Sequence, residues 1–340
     1  MAKVANDVIK EFKNKKILIT GGTGSVGQGL IKQLVKCKPA GIRVFSNDEN
    51  SIFETKRMLG NIHNISYLIG DIRDVDRLKL AIRDADIVFH AAAMKHVDLC
   101  EENPFDAVKT NVIGTSNVLE ACLLEDVSKF VFISTDKSTN PSSTLGASKL
   151  LGERLTIKAN SYRGSGKTIF SVVRFGNVIG SRGSVFQIFV NQLRNRTPLT
   201  VTDPKMTRFI MSLDEASLLI LKAAHIAKDG ETLILKMPSV RIEDLAKGLI
   251  KAYREVFPYE KILSTIKYSH ARQGERFHEF LVTSDEVPFC HDEKNMYKLN
   301  RKLNQRKTPL IKFSSETAPK ISKKNLHKII LELLNEDFNA

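Results

Sequence analysis

The stretch that most constrains this chain is a strand, a glycine-rich turn and a helix near its N-terminus. The apolar run Lys16–Thr20 leads into Gly21-Gly22-Thr23-Gly24-Ser25-Val26-Gly27, and Leu30 and Leu34 continue as one face of a helix. Glycines permit a tight turn and let backbone amides approach a pyrophosphate, which the helix N-terminus stabilises. A plain tight turn is the alternative, but this placement favours a dinucleotide site. Its expected cofactor contacts are Gly21, Thr23, Gly24, Ser25, Val26 and Gly27.

Further apolar runs alternate with helical patterns along the chain. They stand at 42–45, 65–69, 87–90, 130–133, 171–175 and 232–235. Such alternation predicts an α/β fold with a Rossmann-like doubly wound parallel sheet and a smaller interleaved C-terminal substrate lobe. We expect a dinucleotide-binding domain of residues 1–178, completed by about 208–238, with 232–235 as its last strand. Residues 179–207 and 239–340 would form the substrate lobe and a tail, which ends in an apolar helical stripe expected to pack on its own subunit.

The second strand ends in Ser46 and Asn47. A site that prefers NAD usually places an acid there, to bind the ribose 2′-hydroxyl. A small neutral residue leaves room for a 2′-phosphate, so NADP is favoured and NAD remains open. Lys56 or Arg57, on the next helix, could supply the charge for that phosphate.

The third and fourth strands end in further candidate cofactor contacts. Asp71 and Ile72 are placed to meet an adenine by a hydrogen bond and an apolar contact. Small residues after the fourth strand let a cofactor lie against the backbone; they are Ala91, Ala92 and Ala93. His90 has no partner histidines near it in the sequence and is interpreted as a satisfied core residue rather than a ligand.

The fifth strand ends in Ser134-Thr135-Asp136-Lys137, and Gly146-Ala147-Ser148-Lys149 opens the next helix. Chemistry in an open α/β sheet gathers beyond the carboxyl ends of the strands. A carboxylate and a lysine in one pocket can hold a proton donor and a proton acceptor together. The alternative is a purely structural turn, because Asp136, Ser138, Asn140 and Pro141 all favour turns.

Composition narrows the class of protein. The 340 residues carry a net charge of +14, and four cysteines lack metal-ligand spacing, so reduced thiols and no metal are expected. No apolar run reaches the length of a membrane span, and the N-terminus lacks the stretch of a signal peptide, which predicts a cytoplasmic protein. Lysines near the C-terminus are spread singly without a nucleic-acid motif, so no nucleic-acid partner is expected.

Several motifs carry a resemblance that spans about residues 14–282. They are the glycine turn and the segments 92–97, 110–115, 134–137, 174–178, 180–185, 202–204, 206–209 and 274–275. Together they resemble the extended short-chain dehydrogenase/reductases, and most closely the polysaccharide-biosynthesis branch of UDP-N-acetylglucosamine 4,6-dehydratases, which includes 5-inverting enzymes. The resemblance implies a UDP-sugar substrate and a homo-oligomer, either a dimer or a hexamer.

The resemblance also implies roles for individual residues. The implied catalytic residues are Thr135, Asp136, Lys137 and Lys149, and Lys149 also holds the nicotinamide ribose. Lys95 and Asn111 are implied cofactor contacts. The implied substrate contacts are Lys95, His96, Asn177, Ser184, Val185, Thr202, Arg208, Arg272 and Glu275. Arg272 and Glu275 are expected in a loop that opens a helix.

The hypothesis for the reaction begins with oxidation of C4, which acidifies the proton on C5 of the sugar. Thr135 binds the C4 oxygen, neutral Lys137 removes H5, and Asp136 protonates the departing C6 hydroxyl. Hydride then returns to C6, and reprotonation from the opposite face would invert C5. One residue departs from the family pattern: Leu145 stands where most members have the proton-accepting tyrosine, four positions before Lys149.

Two alternatives remain open at the level of the sequence. A UDP-hexose 4-epimerase shares the C4 oxidation but needs no acid–base pair at C5 and C6. A non-catalytic nucleotide-binding protein would account for Leu145 and the positive charge.

Overall fold

The fold is built on one large sheet with the glycine-rich turn at its centre. The computed structural model describes residues 4–270, 274–302 and 313–338. In chain order the strands are β1 (Lys16–Thr20), β2 (Gly41–Ser46), β3 (Ile65–Ile69), β4 (Ile87–His90), β5 (Lys129–Thr135), β6 (Ile169–Phe175), β7 (Asn177–Val178), β8 (Leu199–Val201), β9 (Thr207–Met211), β10 (Thr232–Leu235), β11 (Ser239–Arg241), β12 (Ile266–Tyr268), β13 (Cys290–Glu293) and β14 (Met296–Leu299).

Helices separate most of these strands. They are α1 (Asn6–Phe12), α2 (Ser25–Leu34), α3 (Glu49–Leu59), α4 (Val75–Ile82), α5 (Val97–Glu102), α6 (Pro104–Val108), α7 (Gly114–Leu124), α8 (Thr144–Ala159), α9 (Val185–Arg194), α10 (Leu213–Ile226), α11 (Ile242–Val256) and α12 (Lys323–Phe338). Within the described ranges, no helix is both long and apolar enough to cross a membrane.

The large sheet has nine strands in the order β13-β14-β10-β6-β5-β4-β1-β2-β3. The pairings from β3 across to β10 are parallel. The predicted doubly wound parallel sheet is therefore confirmed. The chain reverses its direction of winding between β1 and β4, and ligands bind beyond the strand ends at such a switch point.

Helices cover both faces of this sheet, which explains why its strands are apolar without alternation. On one face Ile17 and Ile19 of β1 join a core with Leu30 of α2 and Ala223 of α10. On the other face Leu18 joins a core formed with α4, α7 and α8.

The second lobe is smaller and has its own core. Its sheets are β11-β9-β7 and β12-β8. Phe189 of α9, Leu249 of α11 and Ile330 of α12 are each fully buried in one cluster. The predicted apolar stripe of the C-terminal helix therefore packs on its own subunit, against α11.

The tail differs from the sequence-based expectation in two respects. Residues 232–235 are not the last strand of the large sheet, because β14 pairs antiparallel with β10, and β13 pairs with β14. The part of the tail from Cys290 to Leu299 therefore extends the large sheet rather than the substrate lobe. No helix follows Glu275 in 274–286, where the chain is irregular up to the short turn Val287–Phe289.

Candidate active site

The glycine-rich turn packs so closely that side chains do not fit in it. A Cβ on Gly21, whose φ is +64°, would lie 2.6 Å from the backbone nitrogen of Ala92, and one on Gly27 would lie 2.5 Å from the Cα of Gly22. Helix α2 begins after Gly24 with no side-chain cap, so its first amides have no side-chain acceptor there. This cradle of backbone amides beside Ala92 suits a pyrophosphate.

The turn opens into a cleft of about 800 Å³. All predicted contacts of the glycine turn line it, as do Ser46, Asn47, Asp71, Ile72, Ala91, Ala92, Ala93, Lys95 and Lys149. The Oγ atoms of Ser46 and Thr23 lie 2.9 Å apart, which fixes the end of β2 against the glycine turn. The size and the linings of the cleft fit a dinucleotide.

The positive charge expected near Ser46 comes from other residues than predicted. Among the described residues that line the cleft, the arginines are Arg73 and Arg182, whereas Lys56 and Arg57 of α3 do not line it. Arg182 reaches from the second lobe and donates to the Ser51 hydroxyl of α3 at 3.2 Å. Arg182, from a distant segment of the chain, therefore brings positive charge to this cleft, whereas Lys56 or Arg57 of α3 had been expected there.

Asp71 is less free to bind adenine than the sequence indicated. Arg73 donates to both of its carboxylate oxygens, at 3.0 and 2.7 Å, and Asn47 donates at 3.1 Å. These contacts, led by the side-chain hydrogen bond from Arg73, lower the pKa of Asp71.

Asn111 and His90 support the cleft from behind. Asn111 donates to the Met94 carbonyl and to the Ser148 hydroxyl and accepts from the Met94 amide, and it is 1% exposed and absent from the cleft lining. Asn111 therefore lies behind the lining of the cleft, and its contact with the cofactor stays a prediction. His90 lies between the hydroxyls of Thr20 and Thr115, as its interpretation as a satisfied core residue requires, and burial lowers its pKa to about 3.

A buried ion network supports the turn after β5. Glu153 of α8 accepts hydrogen bonds from the Ser134 and Ser138 hydroxyls at 2.6 and 2.8 Å. Arg174 of β6 pairs with Glu153 at 2.6 Å and with Glu286 at 2.8 Å. The network anchors the turn Asp136–Ser138 to α8, β6 and the tail, and thereby fixes Lys137 in space.

Asp136 and Lys137 are in contact as predicted, but only Lys137 lines a cavity. The Nζ of Lys137 lies 3.1 Å from Oδ1 of Asp136, which also accepts from the Thr135 hydroxyl at 3.0 Å. Asp136 has no exposed surface, and its Oδ2 has no hydrogen-bond partner in the described part of the chain. Burial raises the pKa of Asp136, the Lys137 ammonium lowers it and the Glu279 carboxylate raises it, and the net effect is a pKa above the ordinary value.

Lys149 lies in an apolar environment. Its Nζ donates to the Ile133 carbonyl at 2.6 Å and lies 4.0 Å from the centre of the Phe132 ring. Burial lowers the pKa of Lys149 to about 7. Leu145 also lines the cleft, and it packs with Cys100 and Ala107 where the family usually has a tyrosine.

A second cavity of about 340 Å³ lies between the two lobes. It shares several lining residues with the cofactor cleft: Lys95, His96, Lys137, Asn177, Val178, Gly183 and Ser184. Val185, Thr202, Arg208 and Glu275 line it as well, so every predicted substrate contact within the described ranges is brought to one place. Arg272 lies outside the described residues.

Glu279 and Arg276 also line this second cavity, and neither was among the predicted contacts. Glu279 is 3% exposed and lies 3.4 Å from the Nζ of Lys137 and 3.9 Å from the Nε of Arg208. Arg276 donates to the Thr139 carbonyl at 2.8 Å and so ties this segment to the turn after β5. Neither residue stands at a strand end or in a glycine-rich turn, so the sequence pattern carried no signal for them.

The match to known families and proteins agrees with this geometry. Residues 17–314 match the model of the family described as "Polysaccharide biosynthesis protein". The chain belongs to this family, a branch of the extended short-chain dehydrogenase/reductases.

Relatives carry different functional names. "UDP-N-acetylglucosamine 4,6-dehydratase (inverting)" of Campylobacter jejuni is 40% identical over 85% of this chain and 84% of the relative. "UDP-glucose 4-epimerase" of Rickettsia bellii is 36% identical over 96% and 97%. "Uncharacterized membrane protein MJ1061" of Methanocaldococcus jannaschii is 47% identical over 96% and 98%. Identity alone therefore does not choose between dehydration and epimerisation.

A solved structure shows the same fold over nearly the whole chain. The structure titled "Pen from Bacillus thuringiensis" superposes with a TM-score of 0.88 at 41% identity, and it covers 94% of this chain and 98% of its own.

Proposed function

We propose that this chain is an NADP-dependent 4,6-dehydratase that acts on UDP-N-acetylglucosamine for the synthesis of surface polysaccharide or glycan. In this reaction C4 is oxidised and the proton of its hydroxyl leaves through Asp136, Lys137 or water, since Leu145 cannot accept it. Water is then eliminated across C5 and C6 and hydride returns to C6, and reprotonation of C5 from the opposite face would invert that centre. The observation that carries the proposal is that Lys137 lines both cavities where they meet, with the buried carboxyl group of Asp136 in contact with its Nζ at 3.1 Å. An acid and a base are needed there only if C5 and C6 react.

The chain's own residues fit a nicotinamide dinucleotide. When bound, this cofactor supplies the hydride chemistry, accepting hydride from C4 and returning it to C6. The amides at the start of α2 bind the pyrophosphate, Ala92 lets the cofactor approach the backbone, and Lys149 holds the nicotinamide ribose. Because β2 ends in Ser46 rather than an acid, and Arg182 lines the same cleft, we favour NADP.

The second cavity would hold the sugar nucleotide. The Oγ of Ser184 is buried and has no hydrogen-bond partner in the described ranges, although Ser184 lines both cavities. A buried hydroxyl without a partner costs free energy, and a ligand oxygen would satisfy it. Asn177, Val185 and Thr202 lie around it, and Arg208 adds a buried guanidinium suited to a diphosphate.

Proton transfer at C5 and C6 is assigned to Lys137 and Asp136. Asp136, whose pKa is raised by burial, is assigned as the source of the proton for the departing C6 hydroxyl. Lys137 takes H5, and Thr135, which lines the cofactor cleft, binds the C4 oxygen. Burial alone would lower the pKa of Lys137, but Asp136 and Glu279 together raise it. Lys137 is therefore an ammonium at rest and must lose a proton before it acts as a base.

The second candidate function is a UDP-hexose 4-epimerase, which the names of the Rickettsia relatives favour. Such an enzyme would return hydride to C4 and leave C5 and C6 unchanged, so the buried acid beside Lys137 would have no role.

The test is to incubate the purified protein with UDP-N-acetylglucosamine and NADP⁺ and to identify the product by NMR. We expect a 4-keto-6-deoxy sugar nucleotide. A C4 epimer would replace the proposal with the second candidate, and tight NADP binding without turnover of any UDP-sugar would support a non-catalytic protein.

A further inference from the structure

Glu279 is a buried carboxylate in the cavity assigned to the substrate. It is 3% exposed, its Oε1 lies 3.4 Å from the Nζ of Lys137, and its Oε2 has no hydrogen-bond partner among residues 4–270, 274–302 and 313–338. A buried carboxylate oxygen without a donor costs free energy unless it serves a further interaction.

The backbone of Glu279 is fixed by a segment of the tail. The Ser315 hydroxyl accepts from the amide of Glu279 at 2.9 Å, and the Ser315 amide donates to the Glu279 carbonyl at 2.8 Å. Ser315 is fully buried and is bonded to Thr207 of β9 as well. The side chain of Glu279 therefore starts from an anchored backbone, as a group with a fixed chemical role requires.

The charges around Glu279 hold it ionised. Burial would raise its pKa, but Lys137, Arg208 and Arg276 together hold the pKa below its usual value. For Asp136, on the other side of Lys137, burial raises the pKa above its ordinary value. One lysine thus lies between two carboxyl groups whose pKa values are shifted in opposite directions.

We propose that Glu279 accepts the ammonium proton of Lys137 and thereby makes Lys137 a base towards the substrate. The inference rests on the proposed dehydratase function. The N–H bond of Lys137 breaks and an O–H bond forms on Glu279, so an ion pair becomes a neutral pair without change of net charge. Lys137 then takes H5, and the proton of Asp136 leaves with the C6 hydroxyl as water.

Asp136 does not serve as this acceptor, because the proposed reaction uses it as the acid that protonates the departing C6 hydroxyl. Among the described carboxylates, Glu279 is the other one in ion-pair contact with Lys137. A sugar nucleotide that fills the cavity excludes water, and the lower dielectric favours the neutral pair over the ion pair. Because Glu279 lines this cavity, binding of the substrate changes the surroundings in which Glu279 and Lys137 exchange a proton.

The experiment compares Glu279→Gln and Glu279→Asp with the wild type and with a control, Glu316→Gln. Glu316 pairs with His278, next to Glu279, but lies 62% exposed outside the cavity. We expect Glu279→Gln to slow the exchange of H5 with solvent deuterium about 100-fold, because a proton acceptor is lost. The loss should appear in kcat, with little change in KM. Glu279→Asp should recover part of the rate, and Glu316→Gln should match the wild type.

A second readout is the pH profile. The carboxylate of Glu279 raises the pKa of Asp136, so its removal lowers that pKa and moves the alkaline limb of the rate to lower pH. The other charges facing this pair, Lys137, Arg208 and Arg276, are unchanged by the substitution. If Glu279→Gln exchanges H5 at the wild-type rate and keeps the wild-type profile, the inference is wrong. If the wild type makes no 4-keto-6-deoxy sugar, the proposed function itself fails.

Discussion

The half-buried Lys137 and the buried Lys149 both line the cofactor cleft, and their environments are opposite. Lys137 contacts Asp136 and Glu279, which raise its pKa against the effect of burial. Lys149 contacts a carbonyl and an aromatic ring, and burial lowers its pKa to about 7. The two side chains are chemically identical, so the difference in their pKa values comes from burial and from the partners that surround each of them.

The opposite environments suit the two lysines to different tasks. Lys137 is a cation at rest with a proton acceptor beside it, so it suits proton transfer within a closed cluster. Lys149 can change charge near pH 7 without a carboxylate in contact, so it suits binding of the ribose hydroxyls and adjustment of nearby pKa values. Variants at or near each lysine should separate proton transfer from cofactor binding.

The largest effect is expected from Lys137→Met. Loss of the base should lower product formation and H5 exchange by about 10⁴-fold, the upper range for general acid–base catalysis. Binding of NADP⁺ should be unchanged, because Lys149 and the glycine turn remain. The assay is H5 exchange followed by NMR, with calorimetric titration of NADP⁺. Lys167→Met, at an exposed position, is the control; normal exchange in Lys137→Met would remove this residue from the mechanism.

Lys149→Met should give the next effect, and it should act on the cofactor. Affinity for NADP⁺ should fall about tenfold, since charged hydrogen bonds are worth about 1.5–3 kcal/mol. In the wild type, binding should be tighter below pH 7, where Lys149 carries its proton, and this pH dependence should disappear in the variant. Titration calorimetry between pH 5.5 and 8.5 measures both. A variant that binds as tightly as the wild type at every pH would contradict the role of Lys149.

The thermal stability of the same two variants should change in opposite directions. The folded protein disfavours charge on Lys149, at full cost below pH 7 and with a decreasing cost as the pH rises towards the unfolded value. Lys149→Met should therefore raise Tm more at pH 6 than at pH 9. The folded protein favours charge on Lys137, so Lys137→Met should lower Tm across this range. Scanning calorimetry of the cofactor-free variants measures both changes in Tm. Changes of the same sign in the two variants would contradict the opposite environments of the two lysines.

The smallest effect is expected from Ser138→Ala. The Oγ of Ser138 lies within hydrogen-bond distance of two acceptors, the Thr135 carbonyl at 2.7 Å and Glu153 at 2.8 Å, and so fixes the turn that carries Lys137. Its loss should cost about 1 kcal/mol of stability and lower kcat several-fold. NADP⁺ affinity should not change, since Lys149 lies on α8. A shift in NADP⁺ affinity without a change in kcat would mean that the turn positions Lys149 rather than Lys137.

The sequence predicted local features of the fold and site well. Apolar strands, the glycine turn and strand ends are set by nearby residues, so the parallel sheet and the positions of Ser46, Asp71 and Lys137 at one edge followed from the order of the elements. The direction of a side chain is less local. Asn111 matched a motif, yet its amide binds Met94 and Ser148 behind the cleft.

Features that depend on distant contacts could not be predicted. Arg182 reaches α3 from the second lobe, and Glu279 is placed by Ser315 from the tail. Strands β13 and β14 are short and polar in part, so their pairing with β10 had no clear pattern in the sequence. The pKa values of Lys137 and Lys149 differ for the same reason, because they depend on partners brought together by folding.

Reaction at C5 and C6 of the sugar can be followed with UDP-N-acetylglucosamine that carries deuterium at C4. A 4,6-dehydratase moves this deuterium to C6, so we expect it in the new methyl group of a 4-keto product. Deuterium found again on C4, in a sugar whose C6 hydroxyl is intact, would contradict this expectation.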